Sequence, residues 1–292
     1  VEEMMIAVVG ATGNTGRAAV RELTALGERP ICVVRNPEKA RDVLGENARI
    51  AVAEVTDRYA LEKAFQGVRS VFVVTGHNPQ TDEQQINILE AAKASGVEFL
   101  VKVSGGRAVV GPDAESVVGR AHYRIEEAMK RSGLGWVILR PGLYMQNTLA
   151  QAALIRSDSK MVLPFPSDVP IAFIDTRDSG SLAAHVVRDP AKHAGKTYEY
   201  TGARSSFNDF ARAFSEALGR SITYVQASME QAQQTLKARN VPDWLIAHQL
   251  AVARVAVNGG FSAENVQPIE EILGRAPFTI QQFIEDHKAA FS

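Results

Sequence analysis

Short runs of four or five apolar residues recur along the first half of the chain, separated by longer stretches with apolar residues at helical spacing. Such runs read as strands of a sheet covered on both faces, and the stretches between them as amphipathic helices. Met5-Ile6-Ala7-Val8-Val9 opens the series, and Thr15 to Leu26 reads as a helix ending at Gly27. Ile31 to Val34 is the second strand, and Pro37 then opens a short helix, as proline at a first helical position does. Arg49 to Ala53 gives a third strand and Tyr59 to Phe65 a helix with Asp57 near its start. Ser70 to Thr75 and Phe99 to Val103 flank a helix over Glu83 to Ala94, whose Ile86, Leu89 and Ala92 share a face. Val117 to Arg131 reads as the next helix and Trp136 to Leu139 as a sixth strand. This alternation predicts an α/β protein, a Rossmann-type doubly wound parallel sheet with helices on both faces.

Beyond Pro141 the rhythm loosens. The pattern predicts a helix over Asn147 to Ile155, then a loop broken by Pro164, Pro166 and Pro170. Ile171 to Ile174 reads as a strand, followed by a helix capped by Asp178 and running through Val187. A strand pair is expected around Thr197 to Tyr200 and Ser221 to Val225 in an otherwise mostly helical tail. The reading is a nucleotide-binding domain over residues 4–150 and a smaller, mostly helical C-terminal lobe over 151–292. The lobe is expected to be discontinuous, with 171–190 returning to the first domain.

Composition narrows the functional classes. The 292 residues are 46% hydrophobic and 22% charged with a net charge of -1, ordinary values for a soluble globular protein. Acidic and basic residues are interspersed, which argues against a nucleic-acid surface, because binding a phosphate backbone needs clustered positive charge. No apolar run approaches the roughly 20 residues that span a bilayer. Two Glu residues precede the first strand, so no signal peptide is expected there. The lone Cys32 cannot form an intramolecular disulfide, and its place inside a strand makes it a poor nucleophile. The expectation is a cytoplasmic monomer or homodimer acting on a small molecule, with no nucleic-acid or membrane partner. Histidines are scattered without metal-ligand spacing, so no metal is expected.

The sharpest motif is Gly10-Ala11-Thr12-Gly13-Asn14-Thr15-Gly16, between the first strand and the first helix. Its first glycine permits a tight turn, the second lets a pyrophosphate approach the backbone at the helix N-terminus, and the third lets that helix pack on the sheet. The second strand ends in Val33-Val34-Arg35-Asn36, with Lys39 one helical turn onward. An NAD site places an acidic residue here for the ribose 2′-hydroxyl, whereas a guanidinium suits a 2′-phosphate. NADPH is therefore the expected cofactor and NADH the less favoured one.

The runs VVGATGNTGRAAV, VVRNPEKA, VKVSG and GWVILRPGLYMQN, with TYEYTG, FNDFARAFSEALGR and FIEDHKAAF in the tail, resemble the NmrA-like branch of the atypical short-chain dehydrogenase/reductase superfamily. That family includes NAD(P)H-dependent quinone and dye reductases, relatives of isoflavone reductases, and regulators that only sense the cofactor. The resemblance implies that Gly10, Thr12, Gly13, Asn14, Thr15 and Gly16 cradle the phosphates. It implies that Arg35, Asn36 and Lys39 hold the 2′-phosphate and that Asp57 lies near the adenine. Thr75 and Gly76 would line the middle of the cofactor. Ser104 and Gly105, with Pro141, Leu143 and Tyr144, would approach the nicotinamide.

The sequence departs from the superfamily in its chemistry. Most short-chain dehydrogenases use a Tyr-x-x-x-Lys pair on the helix after the fifth strand, but the residue four after Tyr123 is Glu127. A carboxylate raises a phenol's pKa, so Tyr123 is a poor candidate. His122 takes the place where isoflavone-reductase relatives carry a lysine, which makes it the first choice for general acid. A helix histidine satisfied by a neighbouring carbonyl is the alternative. Tyr144 and Asn147 could hydrogen-bond a substrate carbonyl, or serve packing and capping between the lobes. His77 would edge the pocket, and Met145, Phe165 and Phe173 would form an apolar wall, although an ordinary core explains those three equally well. Lys102, inside a buried strand, is expected to snorkel out at the strand's end. Two activities stay open: an NADPH-dependent reductase of a small quinone, enone, imine or carbonyl, and a non-catalytic NADP(H) sensor. Lyase or isomerase use of a bound cofactor is a third.

Overall fold

The computed structural model describes residues 5–292, so the expectation about a leader segment lies outside the described residues. The first half runs β1 (Ile6–Val9), α1 (Asn14–Ala25), β2 (Ile31–Val34), α2 (Pro37–Leu44), β3 (Arg49–Val52), α3 (Arg58–Ala64), β4 (Ser70–Val73), α4 (Thr81–Ala94), β5 (Phe99–Val103), α5 (Val117–Lys130) and β6 (Gly135–Pro141). The second half runs β7 (Leu143–Tyr144), α6 (Ala152–Asp158), β8 (Lys160–Leu163), β9 (Ile171–Ile174), α7 (Thr176–Arg188), α8 (Pro190–His193), β10 (Lys196–Tyr200), β11 (Arg204–Ser205), α9 (Phe207–Leu218), β12 (Thr223–Gln226), α10 (Met229–Ala238), α11 (Asp243–Val257), α12 (Gln267–Leu273), α13 (Ile280–Asp286) and α14 (Lys288–Phe291).

Seven strands form one sheet in the order β10-β6-β5-β4-β1-β2-β3, and every neighbouring pair is parallel. The strand order reverses between β1 and β4, which creates the crevice where open α/β sheets bind ligands. The inner strands β1, β2, β4 and β5 are buried along their whole length, the physical reason they read as unbroken apolar runs. Edge strand β3 is half open to solvent and correspondingly mixed in sequence. One apolar layer, around Val8, Leu23, Phe72 and Leu182, covers one face of the sheet, and another, around Val9, Phe65, Ile88 and Ile125, covers the other. A third core, built on Phe207, Phe210, Phe214, Phe283 and Phe291, belongs to the smaller lobe.

Several details correct the sequence reading. The helix after β9 is capped by Asp175, whose carboxylate accepts from the Arg177 amide. Asp178 is instead buried and accepts from Arg275 and from the Phe278 amide, pinning the tail to α7. The two late strands do not pair with each other, since β10 completes the main sheet beside β6 while β12 pairs with β8. β8 itself went unread, because Pro164 and Pro166 directly behind it gave the stretch the look of a loop. The expected helix over Asn147 to Ile155 is a 3-10 segment, Met145–Gln151, followed by α6.

α7 packs along α1, and a Cβ added at Gly180 would come within 2.5 Å of the Ala18 Cβ and 2.7 Å of the Thr15 carbonyl. Glycine at this position is what lets the two helices approach so closely.

Candidate functional site

The turn after β1 has the geometry that a pyrophosphate requires. Gly10 sits at φ +84°, and a Cβ there would lie 1.8 Å from the Val74 carbonyl oxygen. At Gly16 a Cβ would lie 2.1 Å from the Gly10 carbonyl, so this glycine packs the helix onto the turn. Around Gly13 a Cβ would meet nothing nearer than 3.5 Å, so that side of the backbone is open. α1 has no side-chain cap and no acidic residue in its first turn, which leaves its leading N–H groups and its positive end without an internal partner. Thr12, Gly13 and Asn14 are accessible beside them. Thr15 is not. It is buried and turned toward Tyr144, so its side chain is removed from the phosphate cradle.

At the end of β2, Arg35 and Lys39 are exposed and make no side-chain hydrogen bond or ion pair among the described residues. The Asn36 side-chain oxygen is already taken, accepting from the Lys39 amide as the cap of α2. That leaves only its amide nitrogen for a ligand. Asp57 likewise caps α3, accepting from the Ala60 amide at 3.0 Å. Thr75 accepts from Gln85, and at Gly76 a Cβ would meet nothing within 4 Å. An uncapped helix end, an open glycine face and two unpaired cations in one crevice fit a dinucleotide carrying an additional phosphate.

The ends of β5 and β6 are organised differently. Here buried charges satisfy one another. Glu126 on α5 is 1% exposed and accepts from the Ser104 hydroxyl at 2.6 Å and from Arg140 at 2.5 and 3.1 Å. These bonds to Glu126 hold the Arg140 guanidinium even more firmly protonated than usual. Lys102 is fully buried rather than snorkelling; its Nζ donates to the Val103 carbonyl at 3.0 Å and lies 2.9 Å from His122 Nδ1. Burial pulls the Lys102 pKa down to about 7, partly countered by the Glu126 carboxylate. His122, also buried, is held well below the usual histidine range by desolvation first and then by the positive charge of Lys102 and its histidine neighbours.

On its other side His122 Nε2 lies 3.3 Å from His77 Nε2, and the His77 ring stands edge-on to His248 at 5.3 Å. His77 is exposed at the mouth of the crevice. Partial desolvation, His248 and Lys102 all push its pKa down, but water at its open side screens these effects. His248 Nδ1 is 2.7 Å from the hydroxyl of Ser116, the cap of α5.

A family model described as the NmrA-like family matches residues 2–278. The chain belongs to the NmrA-like family. It is 30% identical over 288 residues to an NAD(P)H azoreductase of Xenophilus azovorans, covering 98% of this chain and 99% of that one. An NADPH-dependent quinone oxidoreductase of Escherichia coli, complexed with NADPH, superposes with a TM-score of 0.85 at 26% identity, covering 97% of this chain and 99% of that one. NmrA, a negative transcriptional regulator in complex with NADP, gives a TM-score of 0.81 at 19% identity over 98% and 95% of the two chains, a likeness of fold alone. The resemblance drawn from the sequence motifs and the Rossmann-type fold are both borne out.

Within this NmrA-like chain the remaining expectations divide. Ser104 is buried and spends its hydroxyl on Glu126, while Gly105 is half-buried, with the His122 ring 3.3 Å from where a Cβ would stand. Pro141 is buried and Leu143 half-buried at the end of β6 and in β7. Tyr144 does not face the cleft with its hydroxyl. The group is buried near Ser179, Thr15 and Tyr200 without a well-formed hydrogen bond, and burial raises its pKa, which disfavours a proton-donor role. Met145 and Phe173 are fully buried in the lobe core, and the half-buried Phe165 packs against it, its ring tilted 5.1 Å from that of Phe207. Asn147 is exposed and caps nothing. Glu127 pairs with Lys130 and Arg131 on its own helix and just beyond it. Burial pushes the Cys32 thiol up to about 11, which removes it as a nucleophile.

Sequence reasoning missed Glu126, Arg140 and His248, and misjudged Lys102. Only Lys102 carried a signal, a charged residue inside an otherwise apolar strand. Among the described residues no group of three or more His, Cys, Asp or Glu is arranged to hold a metal ion, and no helix is long and apolar enough to cross a membrane.

Proposed function

We propose that this NAD(P)H-dependent oxidoreductase uses NADPH to reduce a small conjugated acceptor, such as a quinone, enone, imine or carbonyl compound, at the ends of β4 and β5. The observation that carries the reading is the pairing of an uncapped α1 N-terminus with unpartnered Arg35 and Lys39. These groups ask for a pyrophosphate and for a further phosphate about one strand away. When bound, the nicotinamide supplies the hydride, and the protein's own contribution is orientation, exclusion of water and management of the proton. The turn at Gly10 and Gly13 would hold the phosphates, and Gly76, where a Cβ would meet nothing within 4 Å, would let the cofactor pass close to the end of β4. His122 and His77 converge where a proton would be needed, which favours turnover over a purely sensing role.

The test is a titration with NADPH and with NADH followed by nicotinamide fluorescence, then addition of 1,4-naphthoquinone and 2-cyclohexenone. Tighter binding of NADPH and acceptor-dependent loss of fluorescence are expected. Binding without oxidation by either acceptor or by an azo dye would move the reading to a cofactor sensor.

A further inference from the structure

We propose that Lys102, His122 and His77 form a proton relay in which the buried lysine stores the proton and the exposed histidine delivers it to the substrate. The inference rests on the reductase reading for its use, and on geometry alone for its existence. Three nitrogens from three separate segments line up: Lys102 Nζ from β5, the two ring nitrogens of His122 from α5, and His77 Nε2 from the stretch after β4. The two spacings are 2.9 and 3.3 Å. Lys102 and His122 are buried and His77 is exposed, so the line runs from a dry interior to the cleft.

Donor and acceptor roles then follow in one direction. An ammonium can only donate, so Lys102 in its charged form gives a hydrogen bond to His122 Nδ1. Neutral His122 must then carry its proton on Nε2 and donate to His77 Nε2. Neutral His77 in turn carries its proton on Nδ1, which makes no hydrogen bond among the described residues. The branch at His248 is closed. Ser116 Oγ already accepts from the amides of Val118 and Gly119, so its own proton goes to His248 Nδ1. The charged or titratable groups facing the line are therefore Glu126 from α5, whose negative charge favours the ammonium, and His248 from α11.

Reduction of a conjugated double bond by NADPH adds a hydride to one end and leaves an electron pair at the other, so each turnover consumes one proton. That proton leaves His77 Nδ1 for the substrate anion. His77 Nε2 takes the proton of His122 Nε2, and His122 Nδ1 takes one from Lys102, which becomes a neutral amine. Both imidazoles end with their protons on the opposite nitrogens, and uptake of one proton from water at His77 Nδ1 resets the line. The Lys102 pKa of about 7 suits a group that must both hold and release a proton near neutrality.

The relay is tested first without cofactor. Long-range 1H–15N spectra of the histidine rings should show His122 protonated on Nε2 below the Lys102 titration. Lys102→Met should shift both the His122 and the His77 ring signals; unchanged His77 signals would overturn the relay. The second measurement is single-turnover reduction of methyl red by bound NADPH in the wild type, in Lys102→Met and in His77→Gln. Both variants should slow reduction roughly ten- to a hundredfold at pH 7 and leave NADPH affinity unchanged. Lys102→Met should also abolish the wild-type fall in rate above about pH 7. A slowed variant that keeps the wild-type pH profile would make Lys102 a merely structural residue and overturn the proposal. A wild type that reduces no acceptor would sink the reductase reading, while the ring spectra would still decide whether the relay exists.

Discussion

The two sides of the crevice treat charge in opposite ways. At the cofactor side, Arg35, Lys39 and the N-terminus of α1 stand exposed and unpartnered. At the reaction side, Lys102, His122 and Glu126 are withdrawn from water, Lys102 hydrogen-bonded to His122 and Glu126 paired with the half-buried Arg140. Exposed groups waiting for a ligand contribute to binding and little to stability. Buried groups that satisfy one another are coupled to the fold, because losing one leaves another uncompensated in a medium of low dielectric. The difference teaches that affinity and chemistry can be altered separately here.

Substitutions can break or sharpen that contrast. The largest effect is expected from Gly10→Ala, which forces a Cβ into the Val74 carbonyl at a positive φ. A loss of roughly 4 kcal/mol or more is expected, read as a lower denaturation midpoint together with lost NADPH binding. Arg140→Met should cost about 3 kcal/mol in urea denaturation, because Glu126 keeps only the Ser104 hydroxyl. A near-neutral Arg140→Met would mean that the buried pair contributes no more than a surface one.

Arg35→Ser should weaken NADPH binding roughly ten- to a hundredfold with unchanged stability, and leave NADH binding untouched. Equal losses for the two nucleotides would place the 2′-phosphate elsewhere. The pH dependence of folding separates the sides further. Lys102 titrates near 7 when folded against its ordinary 10.5, so above pH 7 the unfolded chain binds the extra proton. Stability therefore rises with pH across that window, and Lys102→Met should flatten the rise. The difference between wild type and variant cancels the opposing effect of Cys32, whose thiol is raised from 9.0 to about 11. At the small end, Arg124→Ala removes an exposed pair with Asp82 and should change stability by roughly 0.5 kcal/mol or less.

The cofactor side was legible in the sequence because its parts are local. Gly10, Gly13, Gly16, Arg35 and Lys39 work through backbone geometry and chain position, and both follow directly from the strand-turn-helix order. The reaction side was only half legible. His122 could be named from its place on α5, but its partners arrive from β5, from the stretch after β4 and from α11, separated by up to 132 positions in the case of Ser116 and His248. Lys102 was misjudged for a physical reason: an isolated buried ammonium is costly, and the histidine that makes it tolerable cannot be read from the strand. Met145 and Phe173 show the reverse error, since apolar residues near a site are indistinguishable in sequence from apolar residues of a core. The same limit hid β8 and the true partners of β10 and β12, which depend on pairings across the lobe.

The close contact of α7 with α1 at Gly180 bears on how the chain is made. A nascent chain that has emerged only as far as Ala150 contains the phosphate-binding turn and six strands of the main sheet, yet α1 lacks the helix that covers Ala19 and Leu23. Its sheet also ends at β6, with the hydrogen-bonding edge that β10 later occupies left bare. The sheet and the cover over α1 are therefore complete only once the chain extends through Tyr200. Termination before Tyr200 would leave that strand edge and the apolar face of α1 uncovered, the kind of surface that drives aggregation.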